Sequence, residues 1–326
     1  MSDSAFDHIA VLGAGAWGTA LALAAHAAGR KTTLWVREDD VLADIRAGRG
    51  NRFLPGVTLP KDLAVTGDLA EAAKADALLL VVPAQVLHGF ADSLRPHLRP
   101  GQPLVICAKG IEKGTGKLVT EVAAEALPGA ALAILSGPSF ARDVGRGLPT
   151  AVTIAAKDDL AAKLQTALSG PAFRPYASDD LTGVALGGAA KNVYAIACGV
   201  VEGMGLGENA RAALLARSFA ELSRLGEALG AKRETLMGLS GLGDLVLTAT
   251  SKSSRNFSFG VALGAGAEPG GALAEGVDTA PALVARAKAA GVEMPIAEAM
   301  ADLLSGALPV GEAMLRLMSR PLKAEK

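Results

Sequence analysis

Lys191 lies in "GGAAKNVYAIACG" (187–199), a run of small and apolar side chains that provides no solvating neighbours for an ammonium group. A cation in such surroundings must be paired, give up its proton or face a cavity. A lysine so placed can pass a proton to an oxygen that is becoming an alkoxide. A lysine snorkelling from a helix edge fits the same string.

A second stretch, "LSGLGDLVLTATSKSSRN" (239–256), sets Asp244 among apolar residues, adds hydroxyls at Thr248 and Ser254, and ends on Arg255 and Asn256 at the start of another helical pattern. Arg255 can grip a phosphate with two parallel N–H bonds, while a helix N-terminus and Asn256 add neutral donors. Taken singly, Asp244 and Ser254 also suit helix caps. Lys109 closes "PLVICAKG" (103–110) at the carboxyl end of a strand. Ligands bind at that end in open α/β sheets, and a solvated lysine is equally at home there.

The third stretch is "GAGAWG" (13–18), preceded by "HIAVL" and followed by "TALALAAHAAG". Strand, glycine turn and helix N-terminus together bring backbone N–H groups and a positive helix end against a pyrophosphate. Gly13 permits the turn, Gly15 lets the phosphates approach, and Gly18 lets the helix lie close to the sheet, with Ala16 and Trp17 between them. The next strand runs into "WVREDD" (35–40), where Arg37 can pair with a 2′-phosphate while Glu38 and Asp39 can accept from ribose hydroxyls. Arg37 favours NADP over NAD, and dual use stays open.

These groups need a scaffold. Short apolar runs at 9–13, 32–36, 77–82, 103–108, 131–136 and 150–155, separated by helical stretches, predict parallel strands buried on both faces. From about Leu181 the strand signals fade and helical patterns such as "ENARAALLARSFAELSRLGEAL" (208–229) take over, with "AEPGG" (267–271) as a loop between helices. The expected architecture is α/β: a Rossmann-type, doubly wound, mostly parallel sheet over residues 1–180, then an all-helical domain over 181–326 that carries substrate and catalytic groups.

Composition narrows the function classes. Lys plus Arg (32) nearly balances Asp plus Glu (33), so no basic field recruits nucleic acid. Cys107 and Cys198 form no CxxC pair and no zinc spacing with the four histidines, so no metal and a reducing cytoplasmic setting are expected. Mean hydropathy is +0.34, yet the one span-length apolar run, 184–201, holds Lys191 and Asn192 near its middle and reads as a buried helix rather than a membrane span. "GIEKGTGKL" (110–118) lacks P-loop spacing, and "GPSFA" and "GLSGL" lack that of a nucleophile elbow.

Taken jointly, "GAGAWGTALA", "LPG", "AKGIE", "SGPSFARDV", "GAAKNVYAIACG", "GLGDLVLTATSKSSRN" and "EGV" resemble the bacterial NAD(P)-dependent glycerol-3-phosphate dehydrogenases over nearly the whole chain. The combination of "SGPSFA", "AAKN" and "GDL" followed by "SRN" is highly specific. The resemblance implies reversible hydride transfer between NADPH or NADH and dihydroxyacetone phosphate, giving sn-glycerol 3-phosphate for phospholipid synthesis.

It further implies Lys191 as general acid and base, Asp244 holding it, and Lys109 near both cofactor and substrate. Gly137, Ser139, Thr248, Ser254, Arg255 and Asn256 would contact the phosphorylated substrate; Trp17, Arg37, Ala141, Leu273 and Glu275 would border the cofactor, with Arg255 touching both. A homodimer is the family's common assembly. Asp143 stands where the family often has Glu, and Ala249 where it often has Cys; neither removes a proposed catalytic group. A keto-acid reductase using Arg255 as a carboxylate handle, and a redox-sensing binding protein, are the competing readings.

Overall fold

A computed structural model describes residues 6–268, 270 and 274–318. Eight strands form one sheet: β1 His8–Leu12, β2 Lys31–Trp35, β3 Ala64–Thr66, β4 Ala77–Leu80, β5 Pro103–Ile106, β6 Ala131–Ser136, β7 Thr150–Ala156 and β8 Phe173–Ser178. Their order is β3-β2-β1-β4-β5-β6-β7-β8, parallel throughout except where β6 meets β7. The expected doubly wound, mostly parallel sheet is present. The short β3 and the edge strand β8 extend it at its two ends.

Along each central strand, alternate residues feed different cores. Ile9, Val11, Leu79 and Val105 pack on one face; Ala10, Leu12, Leu80 and Ile106 pack on the other. Both sides are therefore apolar, which is why these strands read as unbroken runs rather than alternating ones.

The connections are α1 Ala16–Ala27, α2 Asp39–Arg46, α3 Leu69–Ala72, α4 Leu87–Leu94, α5 Val119–Ala126, α6 Ala141–Gly145 and α7 Leu160–Leu168. After β8 only helices follow among the described residues: α8 Leu181–Gly203, α9 Gly207–Ala228, α10 Arg233–Met237, α11 Asp244–Thr250, α12 Arg255–Gly264, α13 Glu275–Ala289, α14 Pro295–Leu304 and α15 Val310–Met318. A five-residue π-turn, Leu239–Gly243, leads into α11.

Helix α8 is the axis of this half. It is long and apolar enough to cross a membrane, but its apolar window is wholly buried within the protein. Its residues Val184, Leu186, Val193 and Ile196 join the same core as Leu12, Leu80 and Ile106, so the helical half and one face of the sheet share an interior. Glycines bring its neighbours close. A Cβ on Gly199 would lie 2.1 Å from the Phe257 carbonyl, and one on Gly260 2.1 Å from the Ile196 carbonyl, so α8 and α12 meet backbone to backbone. That contact fixes where the N-terminus of α12, with Arg255, lies relative to Lys191.

Candidate active site

The glycine turn sits at the switch point of the sheet, between the carboxyl ends of β1 and β4. A Cβ on Gly13, whose φ is +121°, would meet the Val81 carbonyl oxygen at 2.4 Å, and one on Gly18 would meet the Gly13 carbonyl at 1.8 Å. Gly15 differs: nothing lies within 4 Å of its Cβ position, so the turn opens onto free space there. The first bond of α1 runs from Thr19 N to Gly15 O at 3.0 Å, leaving the amides of Ala16, Trp17 and Gly18 without partners in the helix. Trp17 Nε1 is also buried with no protein partner. Two tight glycines, one open glycine and a row of free donors fit the pyrophosphate of a dinucleotide. Arg37 follows β2 and is ion-paired with Glu38 at 2.7 Å, its side chain largely exposed.

The catalytic candidates come together from three elements. Lys191, on α8, is 7% exposed and donates to Asp244 Oδ1 at 2.5 Å and to Thr248 Oγ1 at 3.0 Å. Asp244 opens α11 at 1% exposure, and its other oxygen accepts from Lys109 Nζ at 2.6 Å. Lys109 also donates to the Gly137 carbonyl at 3.1 Å, and Ser139 Oγ donates to the same oxygen at 2.9 Å. Lys191 is thus neither snorkelling nor unpaired, and Asp244 is a bridge between two ammonium groups rather than a cap.

Burial lowers the Lys191 pKa to about 8; the pull of Asp244 opposes this, and the like charge of Lys109 adds to it. Burial works to raise the Asp244 carboxyl, yet the two ammonium groups outweigh it and hold the carboxyl below its ordinary value. A lysine whose pKa lies this close to neutrality can both give and take a proton.

A second polar chain flanks the first. Ser254 caps α12, accepting from Phe257 N at 3.2 Å. Asn256 accepts from Gly276 N at 3.0 Å and donates to Asn192 Oδ1 at 3.0 Å, while Asn192 donates toward Glu275 Oε2 at 3.4 Å. The chain ties α8, α12 and the start of α13 together. Burial raises the Glu275 carboxyl, with the nearby charges of Arg255, Lys191 and Lys109 working against it, so Glu275 and Arg255 belong to the same electrostatic neighbourhood.

Of the expected residues, Lys109, Gly137, Ser139, Lys191, Asp244 and Thr248 share direct contacts, Asn256 and Glu275 belong to the second chain, Ser254 caps the helix that carries Asn256, and Arg255 acts on Glu275 through its charge. Ala141 begins α6 close to Gly137 in sequence, and Leu273 lies outside the described residues. Asn192 is a further member; its only sequence signal is its place beside Lys191. Asn51 is another, for its Nδ2 donates to the Ala14 carbonyl and to Thr19 Oγ1, both at 2.8 Å, anchoring a distant loop to the glycine turn.

Comparison with known proteins gives matches over nearly the whole chain. Family models described as NAD-dependent glycerol-3-phosphate dehydrogenase N-terminus and C-terminus match residues 8–162 and 180–315. A protein from Afipia carboxidovorans named glycerol-3-phosphate dehydrogenase, NAD(P)+, is 58% identical over 321 residues, covering 98% of this chain and 99% of its own. The crystal structure of glycerol-3-phosphate dehydrogenase from Coxiella burnetii superposes with a TM-score of 0.91 at 39% identity, covering 97% of this chain and 99% of that one. A ketopantoate reductase from Ralstonia eutropha matches at a TM-score of 0.59 and 17% identity, a likeness of fold alone.

Proposed function

The chain belongs to the NAD-dependent glycerol-3-phosphate dehydrogenase family, whose members are NAD(P)-dependent oxidoreductases, and from that premise we propose that it interconverts dihydroxyacetone phosphate and sn-glycerol 3-phosphate, supplying the latter to phospholipid synthesis. The observation that carries this reading is the buried bridge in which Asp244 holds Lys191 on one oxygen and Lys109 on the other.

Bound NAD(P)H supplies a hydride to the ketone carbon. The chain's own residues manage the charge that this creates on oxygen. Lys191 Nζ gives its proton to the forming alkoxide in reduction and takes it back in oxidation. Lys109, held by Asp244 and the Gly137 carbonyl, places a second positive charge where the oxygen becomes negative. Asp244 orients both amines and favours the charged form of Lys191, so the proton is restored after each turnover.

Arg255, Asn256 and the capped start of α12 receive the substrate phosphate, with Gly137 and Ser139 lining the carbonyl end. The glycine turn, Ala16, Trp17, Arg37, Ala141 and Glu275 hold the cofactor. In this division of labour residues 1–180 form the dinucleotide-binding domain, which also lends Lys109, Gly137 and Ser139 to the substrate, and 181–326 form the helical domain that carries Lys191, Asp244 and the phosphate-binding groups. The assembly is a homodimer.

The test is steady-state oxidation of NADPH and of NADH with dihydroxyacetone phosphate as oxidant and unphosphorylated dihydroxyacetone as control. Phosphate-dependent oxidation, faster with NADPH, is expected. Cofactor binding without phosphate-dependent turnover refutes the substrate assignment.

A further inference from the structure

Arg52 stands in the loop between α2 and β3, and two anchors fix where it lies. On one side is Asn51, 4% exposed, tied to the Ala14 carbonyl and Thr19 hydroxyl of the glycine turn, while its own Oδ1 accepts from Phe53 N at 2.9 Å. On the other side the Arg52 guanidinium pairs with Asp40, in the first turn of α2. Arg52 therefore follows directly on the residue anchored to the pyrophosphate turn and reaches a partner at the entry of α2, just past the end of β2. In a doubly wound sheet that end is where the adenosine ribose hydroxyls lie.

Arg37 is held in the same way at the entry of α2. It follows β2 and pairs with Glu38, two residues before Asp40. Two guanidinium groups thus rest on carboxylates at the entry of α2, one on Glu38 and one on Asp40, next to the end of β2. Exposed ion pairs of this kind contribute little, so each arginine exchanges its carboxylate for a phosphate dianion at small cost. The Arg52 guanidinium also lies 5.1 Å from the centroid of the Phe53 ring. With NAD, which brings no 2′-phosphate, Arg37 stays on Glu38, whose carboxylate can still accept from the free ribose hydroxyl.

We propose that Arg52 is the second cation of a 2′-phosphate subsite, acting with Arg37 to set the preference for NADPH over NADH. The inference rests on the cofactor reading above.

The experiment measures binding of adenosine 2′,5′-bisphosphate and of 5′-AMP to the full chain by calorimetry, in the native protein and in Arg52→Gln, Arg37→Gln and the double variant. Both side chains are surface groups, so the variants fold. Arg52→Gln is expected to weaken the bisphosphate about tenfold, as loss of a charge-assisted contact does. It leaves 5′-AMP within about twofold, and the KM for NADPH rises while that for NADH holds. Bisphosphate affinity unchanged in Arg52→Gln but reduced in Arg37→Gln overturns the role of Arg52 alone. A native chain that binds 5′-AMP as tightly as the bisphosphate overturns the NADPH preference itself, and with it the subsite.

Discussion

The Asp244 carboxylate lies 2.5 Å from the Lys191 ammonium, one helical turn further along both segments from the point where Gly187 meets the Ser240 carbonyl. The pair is buried, so its charges are exposed to one another more than to water. A buried pair of this kind is costly to break, because the partner left behind keeps its charge without its counter-ion. Here two ammonium groups depend on one carboxylate.

Asp244→Asn removes that carboxylate. Burial and Lys109 both lower the Lys191 pKa, and only Asp244 holds it up near 8. Reduction needs the protonated amine, so the native rate falls as pH rises through about 8. Without Asp244 the amine loses its proton at lower pH, and the alkaline limb moves in the acid direction. The pH dependence of kcat for reduction checks this; an unmoved limb would separate Asp244 from the tuning of Lys191.

Lys191→Met removes the proton donor while keeping an apolar stem of similar reach. Turnover is expected to drop by about 10²–10⁴, the usual range for a general acid. NADPH binding, followed by fluorescence, stays close to native because the glycine turn is untouched. Retained turnover would take the proton transfer away from Lys191.

Gly187 tests the spacing beneath the pair. An alanine Cβ there would lie 2.5 Å from the Ser240 carbonyl, a backbone atom that cannot rotate aside. Gly187→Ala is expected to cost about 1–3 kcal/mol in urea unfolding, the range for overpacking, and to lower kcat more than it changes KM. Gly188→Ala makes a milder contrast, since its methyl meets the Ser136 hydroxyl, which can turn. Equal effects of the two would argue that backbone spacing at the π-turn is irrelevant to Lys191.

Arg255→Lys keeps the charge and loses the planar fork that grips a phosphate through two bonds. The KM for dihydroxyacetone phosphate should rise by about tenfold or more, while the slow reaction of unphosphorylated dihydroxyacetone is little changed. If both substrates suffer alike, Arg255 serves the carbonyl or the cofactor and not the phosphate.

The strands at the centre of the sheet were legible because short, continuous apolar runs between helical stretches suit strands covered on both faces, and the glycine turn because its flanks name it. The three-residue β3 is too short for any periodicity, and β8 contains Pro175 with exposed Arg174 and Tyr176 beside it, so neither carries a strand signal. Lys191 stood out as a charge in an apolar run. Its partners did not, since Asp244 and Lys109 lie 53 residues after it and 82 before it, and only the fold brings them together. Asn192 and Gly187 owe their roles to contacts with α12, α13 and the π-turn, which no local pattern encodes. Glu221 is the sharpest case, because it is buried on a helix whose other charged residues are exposed or half-buried.

Glu221, on α9 and 2% exposed, accepts from Ile296 N at 2.8 Å and Ala297 N at 3.3 Å at the start of α14, with the Tyr194 hydroxyl 3.4 Å away and Arg224 nearby. Burial raises its pKa to about 7, against the opposing pull of the two backbone donors. The folded chain therefore holds this proton more tightly than the unfolded chain does. The stability so contributed is complete below the ordinary carboxylate range near 4.5 and is lost as pH rises through about 7. Glu221→Gln keeps the shape and an accepting oxygen for α14 but cannot titrate. From pH 5 to pH 8 the native chain should lose about 1–3 kcal/mol relative to the variant. Urea unfolding of both at the two pH values measures the difference directly, and parallel pH dependences would mean that Glu221 stays ionised in the folded chain.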